Sequence, residues 1–417
     1  MDRIIVEGGH RLQGQVTISG AKNAVLPVLA ATLLTGGKNE IQEVPGVRDV
    51  TTMVHLVQEL GAKVDHFEGG RVVLDTAGVN NPVAPYDLVS TMRASCLVLG
   101  PLLARLGEAK VSLPGGCAIG ARPINLHIRG LEALGAKISL EKGYVHGTAK
   151  KLKGTHHIFD SVTVTGTMNV MMAAALAEGE TVLDNVAREP EISFLAEVLN
   201  RCGAKIEGAG SDKIVIQGVT SLKPVECRIL PDRIEAATYM IAAAITGGDV
   251  EVLNCVPSHL EAVNLKLREA GVSLEEKETS VRVRGNGELS PVHIRTHPYP
   301  GFATDVQAQF MTLMTLAKGQ SMITETVFEN RFMHVAELKR MGADILIEGH
   351  TAIVTGVEQL SGAPVMATDL RASACLVLAG LVADRDTVVS RVYHIDRGYQ
   401  DMEKKLSQLG AAIRRVK

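Results

Sequence analysis

Gly203-Ala204-Lys205-Ile206-Glu207-Gly208-Ala209-Gly210-Ser211-Asp212-Lys213-Ile214-Val215-Ile216-Gln217 reads as the end of a helix followed by a hairpin. A glycine after an amphipathic stretch supplies the left-handed residue that stops a helix. Two short runs with alternating apolar residues, Ala204–Glu207 and Lys213–Gln217, then flank a turn of glycine, serine and aspartate. Gly208-Ala209-Gly210 also has the composition of a phosphate-cradling loop. The hairpin is the better reading, because a turn of the same kind stands at the equivalent place around Gly69-Gly70.

The same stop recurs along the chain at Gly61, Gly135, Gly203, Gly271, Gly342 and Gly410, in steps of 74, 68, 68, 71 and 68 residues. Self-similarity at such a period marks a repeated supersecondary unit. Each unit opens on a short strand and an apolar helical run: Ala24–Leu34, Cys96–Leu106, Val170–Ala177, Ala236–Ile245, Val306–Ala317 and Ala372–Ala383. A second strand follows (Glu40–Val44, Lys110–Leu113 and Thr181–Asp184 in the first three units), then an amphipathic helix ending at the glycine, then the hairpin. Strands alternating with helices define the α/β class, here as six βαβαββ repeats.

The last repeat supplies one hairpin strand, Ala411–Val416; Arg3–Val6, followed by Gly8-Gly9, is expected to be its partner, and Gln15–Ser19 the leading strand of the first unit. A chain of 417 residues exceeds what one core ordinarily supports. Three repeats per lobe give one domain over residues 21–228 and a second over 1–20 plus 229–417, with crossovers near Gly20-Ala21 and Arg228–Pro231. Two neighbouring crossovers suit an enzyme that closes on a substrate in the cleft between its lobes.

Comparison among repeats shows where one departs from the rest. From Ile41, Val111, Val182, Val252, Ile323 and Val389 to the capping glycine the units run 20, 24, 21, 19, 19 and 21 residues. The excess in the second unit is the segment around Cys117, within Pro114-Gly115-Gly116-Cys117-Ala118-Ile119-Gly120-Ala121-Arg122-Pro123. Five sister units do without it, so the fold does not require it, and a thiol between glycines beside an arginine is placed for proton or covalent chemistry.

Composition narrows the function. Net charge is −3, aromatics are 3% and tryptophan is absent, which leaves neither an electrostatic footprint nor a stacking platform for nucleic acid. The six cysteines (96, 117, 202, 227, 255 and 375) include no close pair, which argues against zinc or a redox couple and suits a reduced cytoplasm. His293 and His297 have helical ligand spacing, but an extended reading of that run separates the rings by about 13 Å, so no metal is expected. The first residues have no signal-peptide pattern, and the apolar runs Met168–Ala177 and Cys375–Ala383 are shorter than a bilayer span.

Polar residues occupy matched places at the starts of the first helices: Lys22-Asn23, Arg93, Asn169, Asp232-Arg233, Thr304-Asp305 and Asp369-Leu370-Arg371. Helix N-termini favour anions, so Lys22, Arg93 and Arg371 need a carboxylate or an anionic ligand nearby. For Arg371 the plain alternative is an ion pair with Asp369. Arg122, Arg188, Arg331 and Arg397 precede the second helices, and arginine forks suit carboxylate and phosphate. A small, multiply anionic ligand follows, with Asp305 the obvious carboxylate base. Cys375, at core spacing in a helix, reads as a buried structural thiol.

These residues resemble the UDP-N-acetylglucosamine enolpyruvyl transferase family over essentially the whole chain. The most specific matches are Ser19-Gly20-Ala21-Lys22-Asn23-Ala24, Pro114–Pro123 with Leu126-His127, Arg188-Glu189-Pro190-Glu191, Thr304-Asp305, Asp369-Leu370-Arg371-Ala372 and Asp396-Arg397-Gly398-Tyr399. The resemblance implies two inside-out α/β barrel lobes of three repeats each. It implies transfer of the enolpyruvyl group of phosphoenolpyruvate to the 3′-hydroxyl of the UDP-sugar at the entry to peptidoglycan synthesis. Small-molecule substrates, no cofactor, no metal, no nucleic acid or membrane partner, a cytoplasmic monomer and sensitivity to fosfomycin go with it.

Carried over by position, Cys117, Asp305, Lys22 and Arg397 would be catalytic. Lys22, Arg122 and Arg397 would hold phosphoenolpyruvate, Cys117 would serve as general acid or assist product release, and Asp305 would take the hydroxyl proton. Asn23, Val327, Arg93, Arg331, Asp369 and Arg371 would complete the substrate site. The uridine diphosphate would lie along Arg122, Pro123, Ile124, Asn125, Leu126 and His127 and along Ser161, Val162, Thr163, Val164 and Thr165. Two departures touch those contacts: Ser161 stands where the family has lysine, and Asn125 where aspartate is common. The sister enzyme of the shikimate pathway would carry an Asn-Ala-Gly-Thr-Ala-Met-Arg type of segment in place of Pro114-Gly115-Gly116-Cys117. A catalytically silent, regulatory UDP-sugar-binding paralogue is the other alternative. An RNA terminal-phosphate cyclase shares related repeats but fits neither the repeat number nor the charge.

Overall fold

The computed structural model describes residues 2–113, 124–328 and 330–417; Cys117, Arg122 and Pro123 therefore lie outside the described residues. All six repeat-ending glycines hold a positive φ, between 88° and 104°. At Gly203 the stop is a paired one: Gly203 N–H donates to Asn200 O at 2.9 Å and Ala204 N–H to Leu199 O at 3.0 Å, which satisfies carbonyls that the helix end leaves open.

The strands form six four-stranded sheets of one pattern. In the third repeat His156–Ile158 runs parallel to Glu180–Asp184, which pairs antiparallel with Lys213–Gln217, itself antiparallel to Lys205–Glu207. Gly208–Asp212 is thus the hairpin turn. In the last sheet Arg3–Glu7 lies between Thr387–Ser390 and Ala412–Val416, with Ile4 opposite both Val389 and Arg415.

The leading strands of the first and fourth repeats are exchanged, which corrects the assignment of Gln15–Ser19. The strand Gln13–Thr17 runs parallel to Asp249–Leu253 of the fourth repeat, whereas Glu226–Arg228 runs parallel to Lys38–Gln42 of the first. The chain crosses after the strand and before the helix, so strand and helix of one sequence repeat belong to different compact units. Periodicity cannot register that cut. Gly20 marks it: a Cβ there would lie 1.9 Å from Glu43 O.

Among the described residues the chain divides into two compact units, residues 20–230 and residues 2–19 with 231–417. Each has its own apolar core. In the first, the helices Lys22–Ala31, Leu99–Leu106 and Val164–Ala174 are buried around most of their circumference, as helices apolar on every side must be. Arg233–Ile245, Gln307–Met314 and Leu370–Leu381 do the same in the second. The sheets cover these helices, an inversion of the barrel in which strands form the core. Amphipathic helices such as Arg48–Glu59 and Pro190–Arg201 lie between an apolar helix and solvent.

One helix begins six residues before its expected start. Thr163 caps Val164–Ala174, its Oγ1 accepting the Gly166 N–H at 3.2 Å. A Cβ on Gly166 would come within 2.4 Å of the Thr163 methyl, so the cap demands glycine. Asn169 is consequently inside the helix and fully buried, and not at its start.

A second glycine rule was not read from the sequence. After the last hairpin strand, Gly218 and Gly356 pass so close to the end of an apolar helix that a Cβ would lie 1.7 Å from Ala177 O and 1.6 Å from Ala317 O. Gly356→Ala is expected to destabilise by about 3 kcal/mol, since backbone must move to admit the methyl. Urea unfolding measures this, with Gly36→Ala as control, where a Cβ meets nothing within 4 Å. Equal shifts in the two variants would rule out the close approach as the cause.

Candidate active site

In the unit of residues 20–230, Lys22 is the first residue of its helix, where the backbone field is already positive. Its Nζ stands 3.1 Å from Asp49 Oδ2, and Asp49, in the first turn of Arg48–Glu59, is 4% exposed. This carboxylate makes a cation tolerable at that end. Asn23 follows, half-buried, and Arg93 opens the turn Arg93–Val98, also half-buried.

Ile124 and His127 are buried, Leu126 is half-buried and Asn125 exposed, all at the start of Asn125–Ala133. Ser161 and Val162 are exposed, Thr163 is the cap, and Val164 and Thr165 form the first helical turn. His127, 2% exposed, faces inward: Nε2 lies 3.1 Å from Thr165 Oγ1 and Nδ1 lies 2.9 Å from Asn169 Nδ2. Burial, aided by the Arg93 charge, pushes its pKa down to about 3, so the ring is neutral near pH 7.

In the other unit, Asp305 sits in the turn Thr304–Val306 that leads into Gln307–Met314. Its carboxylate is 29% exposed and carries a guanidinium on each oxygen: Arg331 at 2.5 Å on Oδ1 and Arg371 at 3.3 Å on Oδ2. Both arginines are buried. Asp369 does not pair with the Arg371 side chain; it caps Leu370–Leu381, accepting the backbone N–H groups of Arg371 at 2.8 Å and Ala372 at 3.0 Å. Arg371 lies over the Tyr399 ring, 5.5 Å from its centre. The Tyr399 hydroxyl in turn meets Thr238 at 2.9 Å and Gln309 at 3.2 Å, tying together three helices.

A buried carboxylate, Glu325, organises the loop that carries Val327 and Arg331. It accepts from Thr296 and Thr304 hydroxyls and the Val327 N–H, each at 2.8 Å, and from the Phe328 N–H at 3.2 Å. Because Thr304 gives its hydrogen to Glu325, its oxygen receives Arg331 at 3.0 Å, which aims the guanidinium at Asp305. Arg397, half-buried, ends the turn Val392–Arg397, and Arg188 is exposed.

The five described cysteines are free and buried. Burial pushes Cys96, Cys202 and Cys255 up to about 11 and Cys227 up to about 12, so these thiols are protonated and inert. Cys375 likewise shifts up through burial. Asp49, Glu325 and Tyr399 escaped the sequence reading as site residues. Asp49 had a signal in the requirement that Lys22 find a carboxylate. Glu325 had none, since its partners are loop N–H groups and hydroxyls.

The sequence pattern of the EPSP synthase (3-phosphoshikimate 1-carboxyvinyltransferase) family matches residues 6–406. UDP-N-acetylglucosamine 1-carboxyvinyltransferase of Geotalea uraniireducens (strain Rf4) is 60% identical over 416 residues, covering 100% of both chains. The protein of the same name from Geobacter metallireducens is 60% identical over 417 residues, again with 100% of both covered. The crystal structure of the enolpyruvyl transferase NikO from Streptomyces tendae superposes with a TM-score of 0.89 at 25% identity, covering 100% of this chain and 99% of that one. A match over the whole length, with the two-unit fold of six sheets and an aspartate between two buried arginines, places the chain in the EPSP synthase family, among its UDP-N-acetylglucosamine 1-carboxyvinyltransferases.

Proposed function

We propose that this protein transfers the enolpyruvyl group of phosphoenolpyruvate to the 3′-hydroxyl of UDP-N-acetylglucosamine and releases phosphate, the committing step of peptidoglycan synthesis. The observation that carries the reading is the Asp305 carboxylate, partly open and oriented by two buried guanidiniums. The 3′-hydroxyl oxygen bonds to C2 of phosphoenolpyruvate while C3 gains a proton, giving a tetrahedral ketal that still bears phosphate. Loss of the C3 proton and cleavage of the C2–O bond to phosphate then regenerate the vinyl group on the sugar. Such a sequence needs a base at the hydroxyl, an acid at C3 and cations on the carboxylate and leaving phosphate.

Asp305 takes the hydroxyl proton, and Arg331 and Arg371 hold it in place. Cys117 delivers the proton to C3. Lys22, Arg122 and Arg397 hold the phosphoenolpyruvate anion. Arg93 and Asp369 balance charge, and Asn23 and Val327 line the sugar. The uridine diphosphate lies along residues 122–127 and 161–165, with His127 acting from beneath that surface. The enzyme works as a cytoplasmic monomer on small soluble substrates without a cofactor. Among the described residues no helix is long and apolar enough to cross a membrane.

Phosphate release on mixing phosphoenolpyruvate with UDP-N-acetylglucosamine tests the reading. Release is expected with that acceptor, not with shikimate 3-phosphate, and is expected to fall at least a hundredfold, about the effect of losing a general acid, in Cys117→Ala. Fosfomycin is expected to add its mass to the peptide containing Cys117. Release with shikimate 3-phosphate alone would move the protein to the sister activity. No release with either acceptor, with UDP-sugar binding retained, would leave a silent binding protein.

A further inference from the structure

Asn169 has no role in the reaction as described, yet every polar atom of its fully buried amide is engaged. Gly100 N–H donates to Oδ1 at 2.6 Å, and Nδ2 donates to Cys96 O at 2.9 Å. A backbone N–H can only donate and a carbonyl can only accept, so these two groups fix which end of the amide is which. Glycine at position 100 is part of the arrangement, since a Cβ there would lie 2.4 Å from Asn169 Oδ1. The remaining Nδ2 hydrogen meets His127 Nδ1 at 2.9 Å. Nδ1 must therefore be the bare nitrogen of the neutral ring, and Nε2 carries the hydrogen.

That hydrogen points at Thr165 Oγ1, 3.1 Å away. Thr165 then accepts from His127, and its own hydroxyl hydrogen is released for another acceptor. No other partner of this hydroxyl is found among the described residues. Thr165 lies in the first turn of its helix, half-buried, beside the exposed Ser161 and Val162.

We propose that His127 is a positioning residue, locked by Asn169 in its Nε2–H form so that the Thr165 hydroxyl donates to the diphosphate of the nucleotide substrate. This rests on the reading of residues 161–165 as the diphosphate segment. The device supplies a hydrogen-bond donor without a further charge, at the place where the family's lysine gives way to Ser161. A charged imidazole there would be repelled by the charge of Arg93, which already disfavours protonation of the ring. A neutral relay avoids that repulsion and keeps the donor direction fixed.

The test begins with the wild-type protein. Nitrogen NMR of the imidazoles, with the His127 signal assigned by its loss in His127→Gln, is expected to show the Nε2–H form with no titration between pH 5 and 8. An Nδ1–H form, or a midpoint near 6.5, overturns the proposal without any need for a variant to fold. Steady-state kinetics then separates positioning from structure. Thr165→Val is expected to raise KM for the UDP-sugar roughly ten- to hundredfold, as loss of a hydrogen bond to a charged group does, with KM for phosphoenolpyruvate little changed. His127→Leu is expected to do the same and to add nothing in the Thr165→Val background. His127→Gln, whose amide can accept from Asn169 and donate to Thr165, is expected to recover most of the loss. If Thr165→Val keeps the wild-type KM, the diphosphate reading of the segment fails. If Thr165→Val raises KM but His127→Leu does not, or adds its full effect on top, only the relay fails.

Discussion

Asp305→Asn is expected to lower kcat by roughly 10³, within the range a positioned general base contributes. The amide keeps the size of the side chain but cannot take a proton from the 3′-hydroxyl. It also turns an NH2 group toward one of two buried guanidiniums, where an anion stood before at 2.5 and 3.3 Å. A second effect therefore accompanies the first: a fall in melting temperature of a few degrees, from the loss of a charge-assisted pair. Arg331→Met and Arg371→Met should cost less in kcat, because each leaves the carboxylate with one orienting partner. Steady-state rates with melting curves on the three variants decide the matter. An Asp305→Asn enzyme within tenfold of wild type would remove Asp305 from the role of base.

The other large effect is on stability in acid. His127 keeps a pKa of about 3 when folded against an ordinary 6.5. Below pH 6.5 the unfolded chain binds a proton that the folded ring refuses, so stability rises with pH between about 3 and 6.5 and falls as the solution is acidified. At 1.36 kcal/mol per pH unit, acidification to pH 4.5 removes about 3 kcal/mol through His127 alone. His334, buried in the other unit, is also pushed below its ordinary value by burial, with Asp369 acting against the shift and Arg331 reinforcing it. It acts in the same direction. A loss of this size is a large share of the 5–15 kcal/mol that holds an ordinary domain together. Urea midpoints at pH 7 and 4.5 are expected to separate widely in the wild type and less in His127→Gln. Equal separations would assign the acid sensitivity to other groups.

The repeat was legible because its punctuation is chemical. A left-handed cap needs glycine, and six glycines at one period locate six helix ends whatever lies between them. That Arg371 needs a carboxylate followed from the same comparison, but the partner it suggested, Asp369, is the helix cap, and the carboxylate it meets is Asp305 from another repeat. What stayed hidden depends on the third dimension. Gln13–Thr17 looks identical whether it pairs with the first repeat or the fourth, because strand period carries no address. The early start of Val164–Ala174 was masked by β-branched residues that favour strands, and only the Thr163 cap overrides them. Asn169, Glu325 and Asp49 matter through partners distant in sequence, and a polar residue in an apolar run does not announce which backbone group it will meet.

The exchange of leading strands sets the order in which a newborn chain becomes a protein. Residues 3–17 leave the ribosome well before their partners, Asp249–Leu253, Thr387–Ser390 and Ala412–Val416. At 5–20 residues per second, the first strand waits roughly 20 to 80 seconds for the last. Residues 20–230 have a delay about half as long, since Glu226–Arg228 closes their first sheet midway through synthesis. The unit of residues 20–230 therefore has all its strands while the other still lacks partners for Arg3–Glu7, which is among the last strands of the described chain to be paired.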